Sequence, residues 1–155
     1  MKVSKIKLQQ VVEKEFNYDG KITSPKDAVE LVNKNEEINK ATEEILLIIC
    51  LNAKNQIVAY SEIAKGGIDY CNVDIKTIFK TILLCNANQF ILVHNHPSGN
   101  AEISVIDRNL TTKVKKAAET MNIRFLDHIV VGRDNFKSYM REEWKKEKRC
   151  KNVNS

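Results

Sequence analysis

The sequence predicts an α/β fold, a mixed central β-sheet flanked by helices. Three observations predict it. Strand-like and helix-like segments alternate along the chain. Two short runs dense in β-branched and aliphatic residues, ILLIICL and QFILV, read as strands buried on both faces. A hairpin opens the strand order, so the sheet is not purely parallel.

The elements follow in order. Residues 3–16 have helical periodicity, with Val3, Ile6, Leu8, Val11, Val12 and Phe16 able to share a broad face. Ser24-Pro25-Lys26-Asp27 is a helix start, with serine as N-cap, proline at the first helical position and aspartate three after the cap. That helix runs to about Asn35. Residues 44–53 form a buried strand, Lys54-Asn55 a turn, and 56–63 an antiparallel return that Gly66-Gly67 ends. Asp74 caps a helix over 75–85 whose Ile75, Ile78, Phe79, Ile82 and Leu83 share one face. Residues 89–93 are a second buried strand, which runs into HNHPSGN. A helix from about Ser104 to Met121, a strand over 124–131 and a short strand near 136–139 complete the chain.

Composition bounds the function. A chain of 155 residues suits one domain, and 43% hydrophobic with 29% charged residues is globular. Only 5 Gly and 2 Pro argue against long linkers. Aromatics at 6% are too few to make a stacking platform for single-stranded nucleic acid the first expectation. The longest apolar run, Ile45 to Leu51, is far short of the roughly 20 residues that span a bilayer. With no signal-peptide core at the start, the expectation is a soluble cytoplasmic protein without membrane contact. The net charge is +5, and residues 141–155, with six Lys/Arg against three Asp/Glu, hold +3 of it. That basic tail is either a solvated, frayed end or a weak nucleic-acid contact. The cysteines, Cys50, Cys71, Cys85 and Cys150, form no C-x-x-C pair, so they read as reduced thiols rather than a structural zinc site.

The densest chemistry is His94-Asn95-His96-Pro97-Ser98-Gly99, followed by Ser104 and Asp107. Imidazoles two apart at a strand end lie on one side of the chain and can reach one cation. A Pro-Ser-Gly turn would bring the next helix start, with Asp107, back over that strand end. Two histidines and a carboxylate, with water as fourth ligand, make an open zinc site. Such a site lowers the pKa of bound water from about 15.7 toward 7. Ser104-x-x-Asp107 is equally a capping box, and the histidines alone could be polar loop residues. The contiguous HNH lacks the dispersed ββα pattern of HNH nucleases, and the H-x-E…P-C-x-x-C pattern of zinc deaminases is absent.

The spacing His94-x-His96, seven residues, Ser104, two residues, Asp107 resembles the JAMM motif of the JAB/MPN metallopeptidase superfamily. VHNHPSG at 93–99 and LDHIVVG at 126–132 resemble its RadC-like branch, over about residues 40–141. The resemblance implies a JAB/MPN-like, cytidine-deaminase-like three-layer architecture. It implies zinc held by His94, His96 and Asp107, with Ser104 helping to hold an oxyanion. It also implies an upstream glutamate as general acid/base. Glu62, in AYSEIAKGG, is the expected one, its other reading being an exposed strand carboxylate. His128 reads as a core imidazole or one that supports the ligands. The chain departs from the usual pattern at Ile103, where a proline is common, and no helix-hairpin-helix pattern is legible in the first 40 residues. The expected organisation is an N-terminal helical extension over 1–40, the domain over 41–141 and the tail over 142–155. The expected function is zinc-dependent hydrolysis of a peptide or isopeptide bond. The alternatives are DNA processing or repair, and a non-catalytic interaction module. The peptide or protein substrate and the oligomeric state are not legible.

Overall fold

A computed structural model describes residues 2–7, 9–18, 20–66 and 73–143. Asp69, Cys71, Cys150 and nearly all of the basic tail lie outside those residues.

The helix expected over 3–16 is not formed. Among the described residues before Ser24 there is no helix. Val3, Ile6, Val11 and Val12 are exposed, and Leu8 lies outside the description. The periodicity was present, but no apolar surface receives it, and a helix this short gains little from propensity alone. Phe16 does find a partner, the ring of Tyr60, edge-on at 5.2 Å.

The first helix, α1 (Pro25–Glu36), starts where the sequence placed it. Ser24 Oγ accepts from Asp27 N–H, and Asp27 accepts from the Ser24 N–H in return. After a short 3₁₀ turn at Ile38–Lys40 come strands β1 (Glu44–Leu51) and β2 (Ile57–Gly66). Helix α2 (Ile75–Leu84) is capped by Asp74, which accepts from Lys76 N–H. Then follow β3 (Gln89–Asn95), α3 (Val105–Thr120), β4 (Arg124–Val131) and β5 (Phe136–Ser138).

The strand order is β2-β1-β3-β4-β5. Only β3 and β4 pair in parallel, so the sheet is mixed as expected. Alternate residues of the two central strands face opposite layers. Leu47, Ile49, Leu51, Ile91 and Val93 pack under α1, with Ala28, Leu31 and Val32. Leu46, Ile48, Phe90 and Leu92 pack under α2 and α3, with Ile78, Ile82, Leu110 and Val114. Each of these larger side chains, fully buried, contributes about 1.5–3 kcal/mol. The result is three layers, and α1 belongs to the same core as the sheet. Among the described residues, no helix is long and apolar enough to cross a membrane.

Candidate metal centre

The site lies where β3 ends and α3 begins. His94 shares its sheet face with Leu92 and Phe90 and is fully buried at the top of the second core layer. The chain then turns through Pro97-Ser98-Gly99. Gly99 has φ +81°, a conformation that favours glycine. The Gly99 N–H bonds His96 O, and Gly99 O accepts from Arg133 N–H. The turn is thus tied both to itself and to the loop after β4. It delivers Ser104 as N-cap of α3 and buries Asp107 in the first turn.

His94, His96 and Asp107 converge. His94 Nε2 lies 3.1 Å from His96 Nε2 and 3.1 Å from Asp107 Oδ1. His96 Nε2 lies 3.5 Å from Asp107 Oδ2. Ligand atoms about 2.0–2.1 Å from one tetrahedral zinc ion would be about 3.3 Å apart. The two imidazole nitrogens and the His94–Oδ1 pair are close to that spacing, and one ligand atom from each of the three residues lies within 4.8 Å of the others.

The hydrogen bonds around the cluster aim acceptors inward. His96 Nδ1 lies 2.8 Å from the Asn100 carbonyl, which can only accept, so Nδ1 carries the proton and a neutral ring offers Nε2 as a lone pair. Asp107 Oδ2 accepts from Ser104 N–H at 2.7 Å. Asp107 Oδ1 is buried and accepts no hydrogen bond. An orphaned carboxylate oxygen in an otherwise satisfied site costs free energy that a cation would recover. The donor set and this orphaned oxygen fit a divalent metal ion.

The electrostatics agree. Burial works to raise the Asp107 carboxyl, but the two imidazoles and the Ser104 contact prevail and hold it far below the usual carboxylate range. Burial pushes His94 down. The Asp107 carboxylate beside it pushes His96 up. Burial pushes His128 down to about 3, so that ring is neutral at ordinary pH.

Glu62 is not brought to this cluster. It lies on the edge strand β2 with an exposed side chain, opposite Leu47 in the register. His94 is opposite Leu46, so the two residues belong to opposite sheet faces. The bulge at Ile63 shifts the register, so that Glu62 pairs with Leu47 rather than with Ile48 on the histidine face. The carboxylate that is brought close is Glu44. It opens β1, two residues before Leu46 and on the same face, and continuing the β1–β3 register two pairs past Leu46–His94 would set it across from His96. Its charge acts on both His94 and His96. Asn95 fastens this corner, accepting from Ile45 N–H at 2.8 Å and donating to Glu43 O at 3.0 Å. Sequence reasoning missed Glu44 because it sought the carboxylate between Ala53 and His94, on the strand before α2. An acidic residue opening a fully buried strand was the available signal.

Comparison with known proteins agrees with the geometry. The family model for the RadC-like JAB domain matches residues 22–145, which includes α1. A UPF0758 protein of Histophilus somni is 37% identical over 130 residues, covering 84% of this chain and 58% of that protein. A UPF0758 protein of Clostridium beijerinckii is 37% identical over 125 residues, covering 81% and 54%. One from Actinobacillus succinogenes is 36% identical over 108 residues, covering 70% and 49%. The chain thus spans about half the length of the curated relatives it matches. With fold, motif and match in agreement, the chain belongs to the RadC-like JAB domain family.

Proposed function

We propose that the chain is a zinc-dependent hydrolase of peptide or isopeptide bonds, its ion held by His94, His96 and Asp107. The observation that carries this reading is the convergence of two imidazole nitrogens 3.1 Å apart on one buried carboxylate, whose Oδ1, 3.1 Å from His94, accepts no hydrogen bond and whose Oδ2 lies 3.5 Å from His96. A zinc ion bound there would supply a water acidified toward neutral pH and a Lewis acid for a carbonyl oxygen.

The chain's own groups supply the rest. Glu44 is the base: its carboxylate sits on the cluster's face of the sheet, where it can take a proton from water and return it to the leaving amine. Ser104 Oγ accepts from Asp107 N–H at 3.1 Å, which leaves its own O–H to donate to a developing oxyanion. Val105 and Ile106, 73% and 41% exposed beside buried Asp107, offer an apolar ledge on which a substrate side chain can rest.

The test is elemental analysis of protein purified without chelator, followed by hydrolysis of a mixed quenched-peptide library. Wild type is expected to carry one zinc per chain, and His94→Ala and Asp107→Ala none. Glu44→Gln is expected to keep the metal and lose at least 100-fold in turnover, with Glu62→Gln near wild type. Metal-free wild type would overturn the site, and full activity in Glu44→Gln would overturn the base. Stoichiometric metal with no turnover on any peptide would leave a metal-binding interaction module.

A further inference from the structure

An imidazole ligates through whichever nitrogen lacks the proton, so something must decide between the two nitrogens of His94. In His96 a backbone carbonyl decides. In His94 the neighbour of Nδ1 is another imidazole, His128 Nε2, at 2.8 Å. That contact alone is undetermined, since either ring could donate. The next contact resolves it. Thr111 Oγ1 lies 2.7 Å from Asp107 O and 2.6 Å from His128 Nδ1. A hydroxyl has one proton, and the carbonyl can only accept, so that proton goes to Asp107 O. Toward His128 the hydroxyl must then accept, which places a proton on His128 Nδ1 and a lone pair on its Nε2. His94 Nδ1 must donate to that lone pair, and the His94 proton then sits on Nδ1 rather than on Nε2, which faces Asp107 and His96.

We propose that Thr111 and His128 are positioning residues whose hydrogen-bond relay, anchored on the Asp107 backbone carbonyl, locks His94 in the tautomer that ligates through Nε2. This rests on the metal-site reading above. The relay joins three elements, α3, β4 and β3, and its members are each at most 1% exposed. His128 is beside Leu92 in the parallel β3–β4 register, where an aliphatic side chain would pack without polar partners to satisfy. A chain of polar groups at that depth is retained only because every member is paired. The anchor belongs to the residue that also supplies the carboxylate, so the helix that brings Asp107 also fixes which nitrogen of His94 meets it.

The experiment combines the imidazole ¹⁵N spectrum of the metal-free protein with zinc affinity measured against a competing chelator. Wild type is expected to show His94 protonated on Nδ1. His128→Leu removes the acceptor, and zinc affinity is expected to fall 10–100-fold with a mixed His94 tautomer. His128→Gln, whose amide oxygen can accept from His94 Nδ1, is expected to recover most of that loss. A purely structural role predicts no such recovery at equal melting temperature. Thr111→Val, close to isosteric, is expected to fold and to mix the tautomer without touching either ring. Unchanged zinc affinity in folded His128→Leu, or His94 protonated on Nε2 in wild type, would overturn the relay while the metal site stood. Wild type protonated on Nδ1 that takes up no zinc would overturn the metal site, and with it the function of the relay.

Discussion

Asp107 serves two roles with two oxygens. From the sequence, Ser104-x-x-Asp107 was either a capping box or part of a ligand set, and the structure divides the work. Oδ2 accepts the Ser104 N–H and closes the box, while Oδ1 is left to the cluster. Asp107→Asn should therefore keep the cap and lose the charge. We expect it to melt within a few degrees of the metal-free wild type and to bind no zinc, by calorimetry and metal analysis. Asp107→Ala loses the cap as well and should be about 1 kcal/mol less stable than Asp107→Asn in urea. Asp127 contrasts with it as a carboxylate fully committed to structure. It accepts from His128 N–H, Met140 N–H and Ser138 Oγ, and so pins the chain after β5 to β4. Asp127→Ala leaves two backbone N–H groups without their acceptor. Chemical denaturation should register a loss of about 3 kcal/mol.

At the scale of elements, helix starts were the most legible feature. Both capping boxes, Ser24/Asp27 and Ser104/Asp107, stand where spacing put them, because a cap is a local arrangement of four residues. The Asp27 box carries a pH signature. The Thr23 N–H foremost, with the Thr23 and Ser24 groups, holds the Asp27 carboxyl below its ordinary value in the folded chain. Its stabilisation of α1 is thus fully present above about pH 4 and is lost as pH falls through the lowered folded-state value. The melting temperature of wild type should drop between about pH 4 and 2 by more than that of Asp27→Asn. The segment over 3–16 shows the converse. Its periodicity needed a receiving surface, and the α1 layer of the core is filled by α1 and Ile38 instead. Glu62 failed for a related reason. Parity along β2 was readable, but the bulge at Ile63 and the choice of β1 as the neighbour of both β2 and β3 were not.

For the whole molecule, the site depends on one close approach between loops. A Cβ at Gly132 would lie 2.5 Å from Gly99 O and 2.6 Å from Asn135 Oδ1. Gly132→Ala must therefore push the His96–Gly99 turn off the loop after β4. We expect a loss of about 1–3 kcal/mol in stability, and weaker zinc binding through the displaced His96, read by denaturation and chelator competition. If zinc is bound, removing it should lower the melting temperature of wild type and not of Asp107→Asn, since a ligand at 1,000 times its Kd adds about 4 kcal/mol. The sequence by itself determined the α/β class with its mixed sheet, the helix starts, the buried strands and the trio His94, His96 and Asp107. Each of these follows from a short stretch of chain, through periodicity, a cap or a turn between a strand end and a helix start. Only the tertiary structure decided that β1 pairs antiparallel with β3, which brings Glu44 rather than Glu62 to the imidazoles. It alone also set Thr111 and His128 behind His94. Those contacts join residues 17 to 52 positions apart, and strand order and register, which no local pattern encodes, fix them.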